Sequence, residues 1–250
     1  MIPTMQLHDP FCSEIRDEIA VLKDALEPLS AQGRLHEVLE IGCGTGEMTR
    51  RIADTWPDIS ICALEVDLIQ LEKNQQRNRH DRITYLHGPA EHTPFAAQTF
   101  DAVLMFKSLH HVPAALLDRA LDEIHRVLRP GGVAYFAEPV FAGELNEIIR
   151  LFHDEEEVRQ LAFDALVRAS GDSRWGSAGE IHYRVPVRFM DFADFERKVM
   201  RVTHSDFGLT PQRVEQVRRA FEAHMTDDGA HFVRPMRANA LIKAMPEQQR

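Results

Sequence analysis

Apolar residues at Ile15, Ile19, Leu22 and Leu26 recur three and four positions apart, which predicts an amphipathic helix over 13–29, ended by Pro28 and Gly33. Val38, Leu39 and Ile41 then form a short apolar run that stops at Gly42 and reads as a buried strand. A helix over 47–55 closes at Trp56-Pro57, a second strand follows over 59–66, and a polar helix runs from about Leu68 to Asn78. Third and fourth strands are expected over 83–86 and 100–106. The unbroken apolar run from Ala102 to Met105 suits a strand covered on both faces. Leu117, Leu121, Ile124 and Leu128 share one helical face, and a Pro-Gly-Gly turn separates that helix from a fifth strand over 133–137.

Strands alternating with helices at this spacing predict an α/β fold. The expectation is a Rossmann-like, mostly parallel seven-stranded sheet with helices on both faces and a helical insertion after strand five. After Glu138 the pattern changes. Residues 143–169 read as one long charged helix, 170–179 as a loop around Trp175, and 185–190 as a strand. Helices over 192–202 and 211–225 and a last strand over 238–244 complete the chain. The expected organisation is a single domain over 1–250. It comprises an N-terminal helical cover (1–35), a ligand-binding half (36–139), a helical insertion or lid (140–184), and C-terminal helices and strands (185–245).

Composition narrows the class of partner. At 250 residues, 44% hydrophobic and 27% charged, the chain is long enough for a sizeable core. A net charge of -10 repels a phosphate backbone, so no nucleic-acid partner is expected. No apolar run spans a membrane and no secretory signal precedes Pro10. Cys12, Cys43 and Cys62 have neither metal nor disulfide spacing, which points to reduced thiols in a cytoplasmic protein. No metal is expected either. In the run from His153 to Glu157 only His153, Glu156 and Glu157 share a helical face, and a solvated acidic face accounts for them. Nothing in the sequence specifies an oligomeric state.

The chemistry concentrates in Glu40-Ile41-Gly42-Cys43-Gly44-Thr45-Gly46-Glu47, a strand running into a glycine loop that opens a helix. Glycines there allow a tight turn and close approach of a ligand to the backbone. A dinucleotide loop carries its third glycine one position later, where Glu47 stands, and a P-loop needs Gly-Lys-Ser/Thr, which is absent. Glu40 and Glu47 would crowd a phosphate held at the helix N-terminus. They suit S-adenosylmethionine, which has no phosphate and brings an ammonium and a sulfonium. An acid about 20 residues beyond the loop can bind ribose hydroxyls, and Glu65 lies 19 residues past Gly46. Asp67 competes for that role, since residues two apart on a strand face the same side.

These segments come in a telling order: Glu40 to Gly46, Glu65, the run from Gly88 to Phe95, Phe100-Asp101-Ala102-Val103, and Leu128-Arg129-Pro130-Gly131-Gly132. Together, over about 36–139, they resemble the successive motifs of class I S-adenosylmethionine-dependent methyltransferases of the small-molecule type. The resemblance implies that Glu40 and the loop residues Gly42, Cys43, Gly44 and Gly46 hold the methionine part. It implies Glu65 rather than Asp67 for the ribose, Ala90 and Glu91 beside adenine, and Phe106 and Lys107 near the methionine end. Pro89 stands where the family usually has an acid. S-adenosyl-L-methionine is then the expected cofactor and a small-molecule methyl acceptor the expected partner.

The acceptor should lie beyond the carboxyl ends of strands four and five. That position makes His110 and His111 candidate proton acceptors, although both also fit a turn packed under the next helix. Glu138, Trp175 and Tyr183 are candidates for the acceptor pocket. Two other readings keep the fold: an NAD-binding enzyme, and a nucleotide- or S-adenosylmethionine-binding protein without transferase activity.

Overall fold

The computed structural model describes residues 5–77, 80–203 and 205–246. Five parallel strands form the centre: β1 (Glu37–Ile41), β2 (Ser60–Glu65), β3 (Ile83–His87), β4 (Phe100–Phe106) and β5 (Leu128–Pro139). β6 (Trp175–Phe189) and β8 (Gly229–Lys243) continue the sheet antiparallel, giving the order β3-β2-β1-β4-β5-β8-β6. The two-residue β7 (Met225–Thr226) pairs with β8 as an eighth strand. The expected seven strands therefore stand, with one short hairpin strand added.

Period-two alternation assigns each central strand to two cores. Val38, Ala102, Leu104 and Tyr135 pack under α1 (Glu18–Ser30), α2 (Glu47–Thr55) and α3 (Leu68–Arg77). Leu39, Val103, Met105 and Phe136 pack under α4 (Leu117–Val127) and α6 (Glu156–Ser170). A third cluster joins α5 (Glu144–Ile149), α7 (Phe192–Phe195) and α8 (Pro211–Glu222) to Phe189 and Phe232, where the β6–β8 ribbon runs beyond the end of β5.

The structure departs from the sequence expectation in several places: α1 starts at Glu18 and not at 13, and β5 runs through the turn expected before 133. The long helix over 143–169 is two helices, α5 and α6, because the chain turns at 150–155 and Phe152 enters the third core. The loop expected over 170–179 holds the start of β6. Its small residues lack an alternating pattern, and the pairing comes from β8. The lid boundary at 184 falls inside that strand. The helix expected over 192–202 is α7 followed by a π-turn at Glu196–Met200. Asn78, where the third helix was expected to end, lies outside the described residues.

Gly229 opens β8 at φ +97°, and a Cβ there would sit 2.4 Å from the Phe189 carbonyl oxygen. Gly229→Ala is expected to destabilise the chain by on the order of 1–3 kcal/mol through backbone strain. Urea denaturation at neutral pH, with cofactor affinity as a control, checks this.

Candidate functional site

β1 is flanked by β2 on one side and β4 on the other, so the chain reverses direction across the sheet at the β1/β4 crevice, the usual ligand position in open α/β sheets. A cavity of about 730 Å³ opens there, within the size range of small-molecule sites. Glu40, Gly42, Cys43, Gly44, Glu65, Ala90, Glu91, Phe106, Lys107 and His111 all line it. Gly46 stands just behind, as the left-handed N-cap of α2.

Sterics explain the glycines. Gly42 has φ +73°, and a Cβ on it would lie 2.6 Å from Ser108 Cβ, so the end of β1 could not approach the turn after β4 with any larger residue. Gly44, at φ +51°, lines the cavity, and a Cβ there would meet nothing within 4 Å. Asn74 of α3 clamps the loop by donating from Nδ2 to Gly44 O at 2.7 Å.

The two acids that sequence alone leaves in competition are separated by geometry. Glu65 faces the loop, accepting from Gly44 N at 2.7 Å and from Val66 N and Asp67 N at 2.9 and 3.0 Å. Asp67 caps α3 instead, accepting from Ile69 N and Gln70 N, and is not among the lining residues. Glu40 is buried, and its Oε2 has no hydrogen-bond partner. Burial pushes its carboxyl up to about 7 against the neighbouring Thr49 hydroxyl and the Lys107 charge, which lower it, while the nearby Glu65 charge adds to the shift. A buried carboxylate oxygen left unpartnered beside a cavity fits a ligand ammonium, and the open face of Gly44 fits a ligand lying on the loop. The residues present therefore fit S-adenosylmethionine.

Some contacts that shape the cavity carry no sequence signal. Lys107 is left-handed at φ 55° and donates to both oxygens of Glu18 in the first turn of α1, at 2.9 and 3.1 Å. Arg51 of α2, also lining, pairs with Asp17, the N-cap of α1. Glu18 reaches the cavity through that long-range pairing, and Arg51 and Ser205 line it as well.

The candidate acceptor residues scatter. His111 lines the cavity and is exposed, whereas His110 is buried behind it, the rings 4.1 Å apart. His110 Nδ1 pairs with Glu138 Oε2, and Glu138 Oε1 accepts from Ser108 N and Leu109 N at 3.1 and 2.9 Å. Burial alone would lower the His110 imidazole, but Glu138 and Glu155 override it and hold it up at about 9. Glu138 is thus buried scaffolding for the turn and does not line the cavity. Trp175 and Tyr183 are core residues, the first edge-on to His125 and the second in the layer beneath α1, and neither lines the cavity.

The acidic run also changes character. Glu156 and Glu157 are exposed as expected, but the turn before α6 drives Glu155 inward, where it meets Arg159, His153 and His110.

Residues 38–132 match the profile of a methyltransferase domain. Over 117 residues the chain is 35% identical to 2-methyl-6-phytyl-1,4-hydroquinone methyltransferase 2, chloroplastic, of Oryza sativa subsp. japonica, covering 47% of this chain and 33% of that protein. Over 132 residues it is 34% identical to 27-O-demethylrifamycin SV methyltransferase of Amycolatopsis mediterranei, covering 46% of each. The chain thus spans less than half the length of these curated relatives. In fold it is similar to the solved YcgJ protein of a Bacillus, with a TM-score of 0.56 at 17% identity, covering 88% of this chain and 98% of the other.

The loop after β3 is fixed by Glu123 of α4, which accepts from Thr93 N at 2.8 Å and Thr93 Oγ1 at 2.7 Å and pairs with Arg126. Although burial opposes it, these donors hold the Glu123 carboxyl down at about 2. A depressed acid stabilises the fold above its unfolded value of about 4.3 and loses that contribution as pH falls towards 2. Glu123→Gln is expected to cost on the order of 1–3 kcal/mol at pH 7. In urea melts the gap to the unsubstituted chain should close as the buffer is taken below the unfolded value.

Proposed function

We propose that this chain, whose residues 38–132 match the profile of a methyltransferase domain, is a class I methyltransferase that transfers a methyl group from S-adenosylmethionine to a small-molecule acceptor. The observation that carries the reading is the unpartnered Glu40 Oε2 beside a glycine-walled cavity. The acceptor chemistry of the relatives supports it, since one is named for a hydroquinone and another for a rifamycin. The three free cysteines fit a cytoplasmic setting. Among the described residues no helix is long and apolar enough to cross a membrane.

Bound in this cavity, S-adenosylmethionine supplies a methyl group already activated on a sulfonium. Glu40 would hold the ammonium and the loop from Gly42 to Gly46 the methionine part. Glu65 would offer a ribose hydroxyl about one acceptor site beyond the three N–H groups it already accepts. Ala90 and Glu91 would hold the adenine. Phe106 and Lys107 wall the reacting end, with Lys107 held by Glu18. Transfer is an in-line displacement, so alignment and exclusion of water supply most of the acceleration. An acceptor hydroxyl or amine must also lose a proton, and His111 is the imidazole of the turn that lines the cavity.

Calorimetry tests the reading directly. S-adenosylhomocysteine should bind and NAD should not, and the reverse ranking overturns the proposal. Glu65→Ala is expected to weaken S-adenosylhomocysteine by on the order of 1.5–3 kcal/mol for each charge-assisted hydrogen bond lost. Gly44→Val should abolish binding and, because Gly44 has φ +51°, also lower stability by on the order of 1–3 kcal/mol in urea melts.

The raised Glu40 value adds a pH signature. Below about 7 the free carboxyl holds a proton that an ammonium must displace. Affinity should therefore fall by up to about tenfold per pH unit on acidification and level off above neutrality. A flat profile between pH 5 and pH 8, spanning about three units, removes Glu40 from the contact.

A further inference from the structure

We propose that this chain binds one divalent transition-metal cation between His110, His111 and Glu155, at the acceptor end of the cavity. Binding itself does not depend on the methyltransferase reading, although the use suggested for it below does.

Sequence spacing hides this cluster, because it joins two separate turns. His110 and His111 follow β4, and Glu155 comes from the break between α5 and α6. One donor atom from each of the three side chains lies within 4.8 Å of the others, and among the described residues they are the group of this kind. His110 Nε2 and Glu155 Oε1 are 3.6 Å apart. That is too long for a well-formed hydrogen bond. It is close to the roughly 3.0–3.5 Å between two donors that share one ion at about 2.0–2.2 Å.

The surroundings are those of a supported ligand set. Glu138 holds His110 by Nδ1, which turns Nε2 toward Glu155 and fixes the tautomer, as outer carboxylates do for metal-ligating histidines. Arg159 holds Glu155 by its other oxygen, Oε2, and so leaves Oε1 facing the imidazole. His153 Nε2 stands 2.9 Å from the same Oε1. Two imidazoles and one carboxylate are the ligand type of zinc and ferrous sites that keep open positions.

Place in the fold supplies the use. His110 and Glu155 are buried, whereas His111 lines the cavity, so an open coordination position faces the space an acceptor enters. A cation there would polarise an acceptor hydroxyl and make its proton easier to lose to water, which replaces a need for His111 as a base. Loading the site moves no electrons: the Nε2 proton of His110 leaves to solvent as the nitrogen–metal bond forms.

The full chain, purified without a histidine tag, should be titrated with Co²⁺ while its visible absorption is followed, then back-titrated with Zn²⁺ in a calorimeter. One equivalent of Co²⁺, displaced by Zn²⁺, is expected. His111→Ala and Glu155→Gln should each weaken binding at least tenfold. Glu138→Gln, which removes the carboxylate that orients His110, should weaken it by roughly 10–100-fold. S-adenosylhomocysteine affinity measured on the same samples reports separately on the cofactor site and on folding. A chain that binds S-adenosylhomocysteine but takes up neither metal overturns the proposal. Co²⁺ binding that is undiminished in both His111→Ala and Glu155→Gln overturns it as well. Co²⁺ uptake without S-adenosylhomocysteine binding leaves the metal site standing and removes the methyltransferase reading instead.

Discussion

A buried carboxylate at the end of β5 sets the geometry of everything above the sheet. Glu138 accepts from two successive backbone N–H groups and from His110, and so pins the turn that follows β4. That turn carries Ser108, whose hydroxyl donates to Ile41 O at 2.9 Å and whose Cβ leaves no room for a side chain on Gly42. The glycine loop, the cavity wall and the imidazoles all take their positions from this one contact between neighbouring strands. Glu138 remains ionised in the interior because it has donors on both oxygens, which meets the usual condition for a buried charge.

The parts of the site that sequence made legible are those whose residues are neighbours in the chain. Glu40 to Gly46 needs only one strand and one turn, so its chemistry is written in a short stretch. Glu65 and Asp67 differ by one strand period, and periodicity could not part them. A cap pattern could have done so: Asp67 is followed three positions later by Gln70 and opens α3, the usual signature of a helix start. Glu138 was expected in the acceptor pocket, but it is buried within β5, and its partners are the backbone and His110, which no spacing reveals.

Long-range pairing accounts for the rest. Glu18 reaches the cavity because Lys107 lies across from it, 89 positions away in sequence. The start of β6 looks like a loop because Gly176 and Gly179 break any alternation, and β8 alone makes it a strand. Glu155 was read as part of a solvated helix face. Its inward turn depends on Asp154, which accepts from Glu156 N to begin α6 afresh, and on the guanidinium of Arg159. Each of these is a tertiary choice that overrides a local pattern.

The way α1 is attached restricts the traffic of ligands. Only its first residue, Glu18, borders the cavity, while Val21, Leu22, Leu26 and Leu29 are sunk in the core. Lifting the helix would bring those four side chains into water at on the order of 1.5–3 kcal/mol each. A doorway that opened by moving α1 would thus begin to unfold the domain, and entry and exit are left to the other lining elements, which include Ser205 and the exposed His111.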